Sequence, residues 1–276
     1  MSALHLDHAG LIVRDLAHSH AQMAALGFTL TARADHTMTN AHGQVVPAGS
    51  AQHSVMLESG YVELMQIIDP AAGHPLTPAI GVRFGMHILA LGTDDAAATH
   101  AGYRALGQPI GPLRHWARPV QDGDRSGLAR FAFFDAPWEA RDPSYLCWVQ
   151  HLTPDLIRPP GATVHANTAT ALAAVHYAGP PGTAAAWCDR LRTLGVPMRR
   201  HGGTTELDLG NGRLRVTEAN GLKAMVPVRL DLQVRSLDQV RACCTQANLT
   251  MQTDAEGAIV VDMQASLGIA LAFLAV

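Results

Sequence analysis

Residues 6–28 read LDHAGLIVRDLAHSHAQMAALGF: an apolar strand-like run, a polar turn at Arg14-Asp15, then a short helix closing on Leu26-Gly27. The helix half of this pattern returns three times, as ATHAGYRALGQ (98–108), AAAWCDRLRTLGV (184–196) and VRACCTQANLT (240–250). Gly27, Gly107, Gly195 and Asn248 stand where a helix C-terminus needs a residue tolerant of the left-handed conformation. Each helix follows an apolar run, and Asp15, Asp94 or Asp95, Thr183 and Ser236 occupy the N-cap positions. His8 precedes Gly27 by 19 positions, His87 precedes Gly107 by 20 and Arg229 precedes Asn248 by 19, a regularity that marks an internal repeat.

Two or three strand candidates follow each helix, among them SAQHSVMLE and YVELMQIID in the first copy and TTELDLG and RLRVTEA around the Asn211-Gly212 turn in the third. The chain therefore reads as four βαβββ modules near residues 1–70, 81–158, 168–220 and 225–276. The expected fold class is α+β: two pairs of modules, each pair a cup-shaped, barrel-like mixed sheet with its helices outside. The expected domains are 1–158, carrying the candidate site, and 168–276, a degenerate pair, with the Pro/Gly-rich stretch 159–167 as linker.

Composition narrows the function classes. An apolar fraction of 48% and a charged fraction of 16% describe a well-cored globular chain. The net charge is −3, and no block of basic residues offers a footprint for nucleic acid or an anionic membrane. No apolar stretch approaches the roughly 20 residues of a membrane span. The N-terminus has no basic segment followed by an apolar one, so no secretory signal is read there. Cys147, Cys188, Cys243 and Cys244 suit neither a disulfide framework nor a CxxC zinc knuckle. The expectation is a cytoplasmic protein, monomer or homodimer, that binds a small molecule. Fifteen histidines are the compositional oddity.

Four βαβββ modules in two pairs resemble the vicinal oxygen chelate superfamily, which holds glyoxalase I, type I extradiol dioxygenases, fosfomycin-resistance and bleomycin-binding proteins. LDHAGLIVRDL, GSAQHSVMLESGYVELMQI and VQHLTPDLI look most like its glyoxalase-like branch, with the motif-level likeness confined mainly to residues 4–158. The resemblance implies a divalent metal (Zn, Fe, Mn, Ni or Co) inside a cup, on ligands from the first and last strand of each module. His8 matches the first-strand ligand of module one, Glu63 its last-strand ligand, and His87 in GMHILAL the first-strand ligand of module two.

The fourth position departs from that pattern. Aligning Tyr61–Gln66 with Tyr145–Gln150 sets Cys147 opposite Glu63, while His151 lies four residues further along the same strand face. Either Cys147 or His151 completes the set: a Cys147 thiolate favours zinc, and His151 requires the strand to bend. Glu63 doubles as a catalytic acid–base group, and His53 on the preceding strand is a second acid–base candidate if it points into the cup. Arg114, Arg118, Cys147 and Trp148 are substrate-binding candidates, the arginines through bidentate contact with an anion. His36 and His42 lie in ADHTMTNAHGQVVPAG (34–49), which reads as a loop long enough for a lid. In the second half Ala174, Arg229 and Arg215 take the ligand positions, so any metal belongs to residues 1–158.

Two functions follow from the resemblance. One is a metal-dependent lyase, isomerase or dioxygenase acting on a small molecule with adjacent oxygens. The other is a non-catalytic binding protein of the same fold.

Overall fold

The structure, a computed structural model, describes residues 4–39, 43–122 and 125–276. The first module runs β1 (Leu4–Ile12), α1 (Leu16–Ala25), β2 (Ala34–Thr39), β3 (Val45–Met56) and β4 (Tyr61–Ile67). The second runs β5 (Gly85–Thr93), α2 (Ala96–Ala105), β6 (Arg114–Asp122), β7 (Arg125–Asp135) and β8 (Tyr145–His151), followed by the single-turn helix α3 (Pro154–Ile157). The third comprises β9 (Ala169–Gly179), α4 (Pro181–Arg192), β10 (Met198–His201), β11 (Thr204–Asp208) and β12 (Arg213–Glu218). The last comprises β13 (Val226–Val234), α5 (Leu237–Gln246), β14 (Met251–Thr253), β15 (Ile259–Met263), α6 (Gln264–Leu267) and β16 (Ile269–Ala275).

The helix ends follow from their sequences. Asp15, Asp95 and Ser236 accept hydrogen bonds from the N–H groups of His18, Ala98 and Gln239. Gly27, Gly107, Gly195 and Asn248 all take positive φ, between 53° and 85°. The third copy differs from expectation: Thr183 does not cap α4, because the helix already begins at Pro181, whose ring presets the helical φ. The Thr183 hydroxyl instead donates back to the Pro180 carbonyl at 2.9 Å.

Each half is an eight-stranded mixed sheet, in the orders β2-β3-β4-β1-β5-β8-β7-β6 and β10-β11-β12-β9-β13-β16-β15-β14. Within a half, modules join through their first strands, β1 to β5 and β9 to β13, both antiparallel. Residues 34–49, expected as a loop, contain β2 and the start of β3, paired from Ala34↔Gln52 to Thr39↔Val45. β2 is the edge of its sheet, where a polar sequence is stable without apolar alternation.

Alternation sorts each sheet into two faces. On the rear, Leu6, Leu64, Leu89 and Trp148 of the first half share one core with Leu172, Val175, Leu230 and Phe273 of the second and with the helices. On the concave face, Ile12, Met65, Ile88, Ala90, Cys147 and Val149 form a separate cluster. The halves also meet through a backbone reader: the Asn211 amide accepts from Leu6 N–H at 2.7 Å and donates to Leu6 C=O at 2.9 Å. Gly212 is required beside it, since a Cβ there would lie 2.9 Å from Leu6 Cδ2 and 3.1 Å from the Leu172 carbonyl. Among the described residues no helix is long and apolar enough to cross a membrane.

Candidate functional site

The first cup encloses a cavity of about 640 Å³ whose walls come from both modules, including His8, Glu63 and Met65 on one side and Arg114, Phe133 and Cys147 on the other. His8 and Glu63, from adjacent parallel strands, meet there: His8 Nε2 lies 3.8 Å from Glu63 Oε2. Both are buried, and the His8 ring stacks on Tyr61 at 4.2 Å.

Behind His8 stands Asp7. Strict alternation would send these neighbours to opposite faces, but β1 carries a register shift against β5 between Leu6 and His8. Leu6 pairs with Leu91 and His8 with Ala90, which leaves Asp7 as the extra residue of a bulge, free to turn toward the His8 side. Its carboxylate accepts from His8 Nδ1 at 2.7 Å and from His151 Nε2 at 2.9 Å. Burial alone would raise the Asp7 pKa, yet the hydrogen bonds and charges of His151 and His8 outweigh it and hold the carboxyl well below the usual range. Asp7 thereby keeps a proton on His8 Nδ1 and leaves Nε2 as the basic nitrogen facing the cavity.

Three more imidazoles line the cup, those of His36, His74 and His115, none read from the sequence as part of the site. His36 in β2 places Nε2 at 3.7 Å from Glu63 Oε1 and holds Ser50 Oγ with Nδ1 at 2.8 Å. His74, between β4 and β5, is nearly parallel to His36 at 6.1 Å. Its Nδ1 accepts from Leu76 N–H at 3.1 Å, so in neutral His74 the proton is on Nε2. Burial, with the neighbouring His36, pushes the His74 pKa down to about 4, making this ring a neutral N–H donor at physiological pH. Across the cup Asp135 accepts from Tyr145 Oη at 2.8 Å and pairs with Arg114 at 2.6 Å, and the guanidinium lies 4.9 Å over the Phe133 ring. A carboxylate one strand over from the Cys147 position has no periodic signature in the sequence, and neither has a lone loop histidine.

Several expected residues lie elsewhere. His87 does not join the cup. His8 pairs with Tyr61 and Ile88 with Tyr145, so the counterpart of His8 in the second module is Ile88. The helix caps say the same, since both Asp15 to Asp95 and Gly27 to Gly107 are offsets of 80. A one-residue slip in register turns a strand residue to the other face. β5 also carries a bulge here, with Gly10 opposite Ile88 and Leu11 opposite Met86, so His87 is its unpaired extra residue; it is fully buried away from the cavity wall, its Nε2–H donating to Arg83 C=O at 3.1 Å and its Nδ1 without a hydrogen-bond partner among the described residues. Burial and the nearby Arg83 charge push its pKa down to about 3.

His53 also faces away. Gln52 and Ser54 line the cavity, whereas His53 contacts Thr31 C=O at 2.8 Å and packs 4.5 Å from the His20 ring. Trp148 is on the rear face, stacked on Phe134 at 4.8 Å. His151 lies beyond the cavity wall, edge-on to Tyr61 and Phe131, and reaches the site only through Asp7. Cys147 does line the cup, where burial, reinforced by Asp7, Asp135 and Glu63, pushes its thiol pKa up. The Arg118 side chain and His42 lie outside the described residues.

The second cup is filled differently. Ala174 and Arg215 stand where His8 and Glu63 stand, and Arg229 and Ala272 where Ile88 and Cys147 stand. Buried Asp231 accepts from His176 at 2.7 Å and from Arg229 at 2.5 Å, Arg229 also binds Asp254 at 2.7 Å, and Arg215 binds Glu206 at 2.8 Å. These paired charges occupy the face that is a cavity wall in the first half.

Residues 6–207 match the family model described as a glyoxalase-like domain. Among solved structures, a hypothetical protein from Staphylococcus aureus superimposes with a TM-score of 0.70 at 10% identity, over 99% of this chain and 100% of that one. A mutant of 4-hydroxymandelate synthase from Streptomyces coelicolor gives 0.64 at 12% identity, over 100% and 92%. Homoprotocatechuate 2,3-dioxygenase from Arthrobacter globiformis gives 0.54 at 12% identity, over 99% and 80%. No curated protein matches the sequence. At these identities the likeness is one of fold, that of the vicinal oxygen chelate superfamily.

That fold implies a divalent metal, and the residues can be tested for it. Of the four first- and last-strand positions, His8, Glu63 and Cys147 carry groups able to ligate, while Ile88 has none. Among the described residues no three His, Cys, Asp or Glu side chains already stand at ligand spacing around one point. The ligand set of the resemblance does not fit this chain.

Proposed function

The chain belongs to the glyoxalase-like domain family, and from that premise we propose that its first cup binds a small molecule with adjacent oxygens and moves a proton on it, as an isomerase or lyase does. The observation that carries this reading is the Asp7–His8 pair, which presents a basic nitrogen beside the buried Glu63 carboxylate inside a substrate-sized cavity.

Glu63 is the group that takes a proton from the carbon next to a carbonyl, whose oxygen receives the charge as an enolate. His8, oriented by Asp7, accepts it in turn and returns it, in the way an oriented imidazole serves any acid–base dyad. His74 Nε2–H is a preset donor for a substrate oxygen whose charge grows as the proton leaves. Phe131, Phe133 and Trp116 supply an apolar wall that excludes water, and Arg114, steadied by Asp135, offers its remaining N–H groups to an anionic substituent.

Ligand binding without turnover is the second reading, favoured by Ile88 and the Cys147 thiol at positions where the resemblance expects ligands. One experiment separates the two. α-Hydroxy ketones, α-keto acids and catechols are incubated with protein in D2O, deuterium entry at carbon is followed by proton NMR, and binding is followed by thermal shift. Exchange in the wild type that Glu63→Gln abolishes supports proton transfer. Binding with neither exchange nor turnover in the wild type establishes the second reading, and a catechol that consumes oxygen assigns a dioxygenase instead.

A further inference from the structure

We propose that Asn211, at the tip of the β11–β12 hairpin in the second half, is a positioning residue for the acid–base pair of the first cup. The proposal rests on the reading of that cup as the working site and assigns the second half a part in it.

His8 and Glu63 stand on β1 and β4, and the second half grips the leading end of both strands. β4 pairs with β1 only from His8↔Tyr61 onward, so no residue of β4 stands beside Leu6. The Asn211 amide fills that place, accepting from Leu6 N–H at 2.7 Å and donating to Leu6 C=O at 2.9 Å. The same Nδ2 also donates to Ser59 Oγ at 3.1 Å. Ser59 lies in the turn that leads into β4, and its backbone is bound to β9: its N–H donates to Thr170 C=O at 3.1 Å and its C=O accepts from Leu172 N–H at 3.0 Å. Gly60 completes the joint, with φ at 77° and so little room that a Cβ would lie 3.1 Å from the Asp7 carbonyl. One side chain thus ties the approach to β1 to the approach to β4, two residues ahead of His8 and four ahead of Glu63.

The bulge shows what this tie controls. Asp7 is the extra residue between Leu6, fixed opposite Leu91, and His8, fixed opposite Ala90. Loosening either flank lets a bulge move along its strand, and a move of one residue would turn His8 to the other face and withdraw Asp7 from Nδ1. β5 holds Leu6 on one side, and Asn211 holds it on the other. Tyr61, whose ring stacks on His8 at 4.2 Å, follows Ser59 by two residues, so the same anchor sets the surface against which His8 lies.

The test compares the full chain with Asn211→Ala, Asn211→Asp and Tyr103→Phe. Asn211→Asp keeps the shape and the acceptor for Leu6 N–H but sets an oxygen against Leu6 C=O. Tyr103→Phe removes a different hydrogen bond between the halves, from Tyr103 Oη to Leu194 C=O at 3.1 Å, outside β1 and β4. His8 is read by nitrogen-15 correlated spectra, and proton transfer by deuterium entry into α-hydroxy ketones and α-keto acids. In both Asn211 variants the single Nδ1–H tautomer of the wild type is expected to give way to a second tautomer or a mobile ring. Exchange is expected to slow at least about tenfold with ligand affinity little changed, because a displaced base loses rate before it loses binding. Tyr103→Phe is expected to keep the wild-type His8 spectrum and exchange rate. Circular dichroism checks folding, and Asn211→Asp decides where Asn211→Ala is unfolded. The proposal is overturned if a folded Asn211 variant keeps the wild-type His8 signals. It is overturned equally if Tyr103→Phe disturbs them as much, since the effect would then belong to the whole interface. A wild type that exchanges no ligand removes the proton-transfer reading, and the His8 spectra still decide on Asn211.

Discussion

Asp7 and His8 are consecutive residues of one strand whose side chains meet, with the carboxylate accepting from Nδ1 at 2.7 Å. A regular strand would separate them to opposite faces. The bulge at Asp7 supplies the extra residue, and Asn211 of the second half grips Leu6 immediately before it. The second half thus holds, from behind the first cup, the backbone that leads into His8.

Asp7→Asn exchanges an anion that accepts from two imidazoles for an amide that can accept from one and must donate to the other. In nitrogen-15 correlated spectra, wild-type His8 is expected as the Nδ1–H tautomer, and in the variant a second tautomer or a mobile ring should appear. Stability is expected to drop by about 1–3 kcal/mol, the usual consequence of a broken buried hydrogen bond. An unchanged His8 spectrum would refute the orienting role.

Ile88→His places an imidazole at the true counterpart of His8. Ile88 lies over Gly10, where a Cβ would be only 2.7 Å from its Cδ1, and lines the same cavity as Glu63. Zn(II) affinity is expected to rise at least about tenfold, since a further imidazole joins the donors. His87→Phe should leave metal affinity where it is. Weaker metal binding in the His87 variant, with no change in Ile88→His, would mean that His87 and not Ile88 faces the cup.

His87 predicts a pH dependence of stability. Its pKa is about 3 in the fold against about 6.5 in an unfolded chain. Between these values the unfolded state binds a proton that the folded state does not, so stability is full above pH 6.5 and falls on acidification, by at most about 1.4 kcal/mol per pH unit. Urea unfolding at pH 6.5 and pH 5 should show His87→Phe losing about 2 kcal/mol less than the wild type over that interval. Equal losses would mean that the ring is protonated in the fold.

In the second cup, Asp231→Ala leaves Arg229 and His176 without their buried acceptor. The expected loss of stability is about 3 kcal/mol, near the lower end for breaking a buried ion pair because Arg229 keeps Asp254. Ligand binding by the first cup should be unchanged in the folded fraction. A variant as stable as the wild type in chemical denaturation would show that the network contributes no net stability.

The repeat, its four helices and their C-terminal residues were legible in the sequence because they depend on local chemistry: N-caps, left-handed glycines and apolar periodicity recur with fixed spacing. Glu63 was legible for the same reason, as an acid between Val62 and Leu64. The partner set was not. The counts of 19 and 20 residues before Gly27 and Gly107 differ by one, and that one residue separates His87, buried away from the cavity wall, from Ile88 in the cup. His36 was hidden because an edge strand needs no apolar alternation, His74 because a loop has no period, and Asp7 because nothing local announces a bulge. Local pattern in the sequence is therefore enough to give the four modules and their pairing into two cups. Only the tertiary structure decided which side chains face inward, because strand register and bulges are set by pairing with distant strands, and a one-residue change in either moves a side chain to the other side of the sheet.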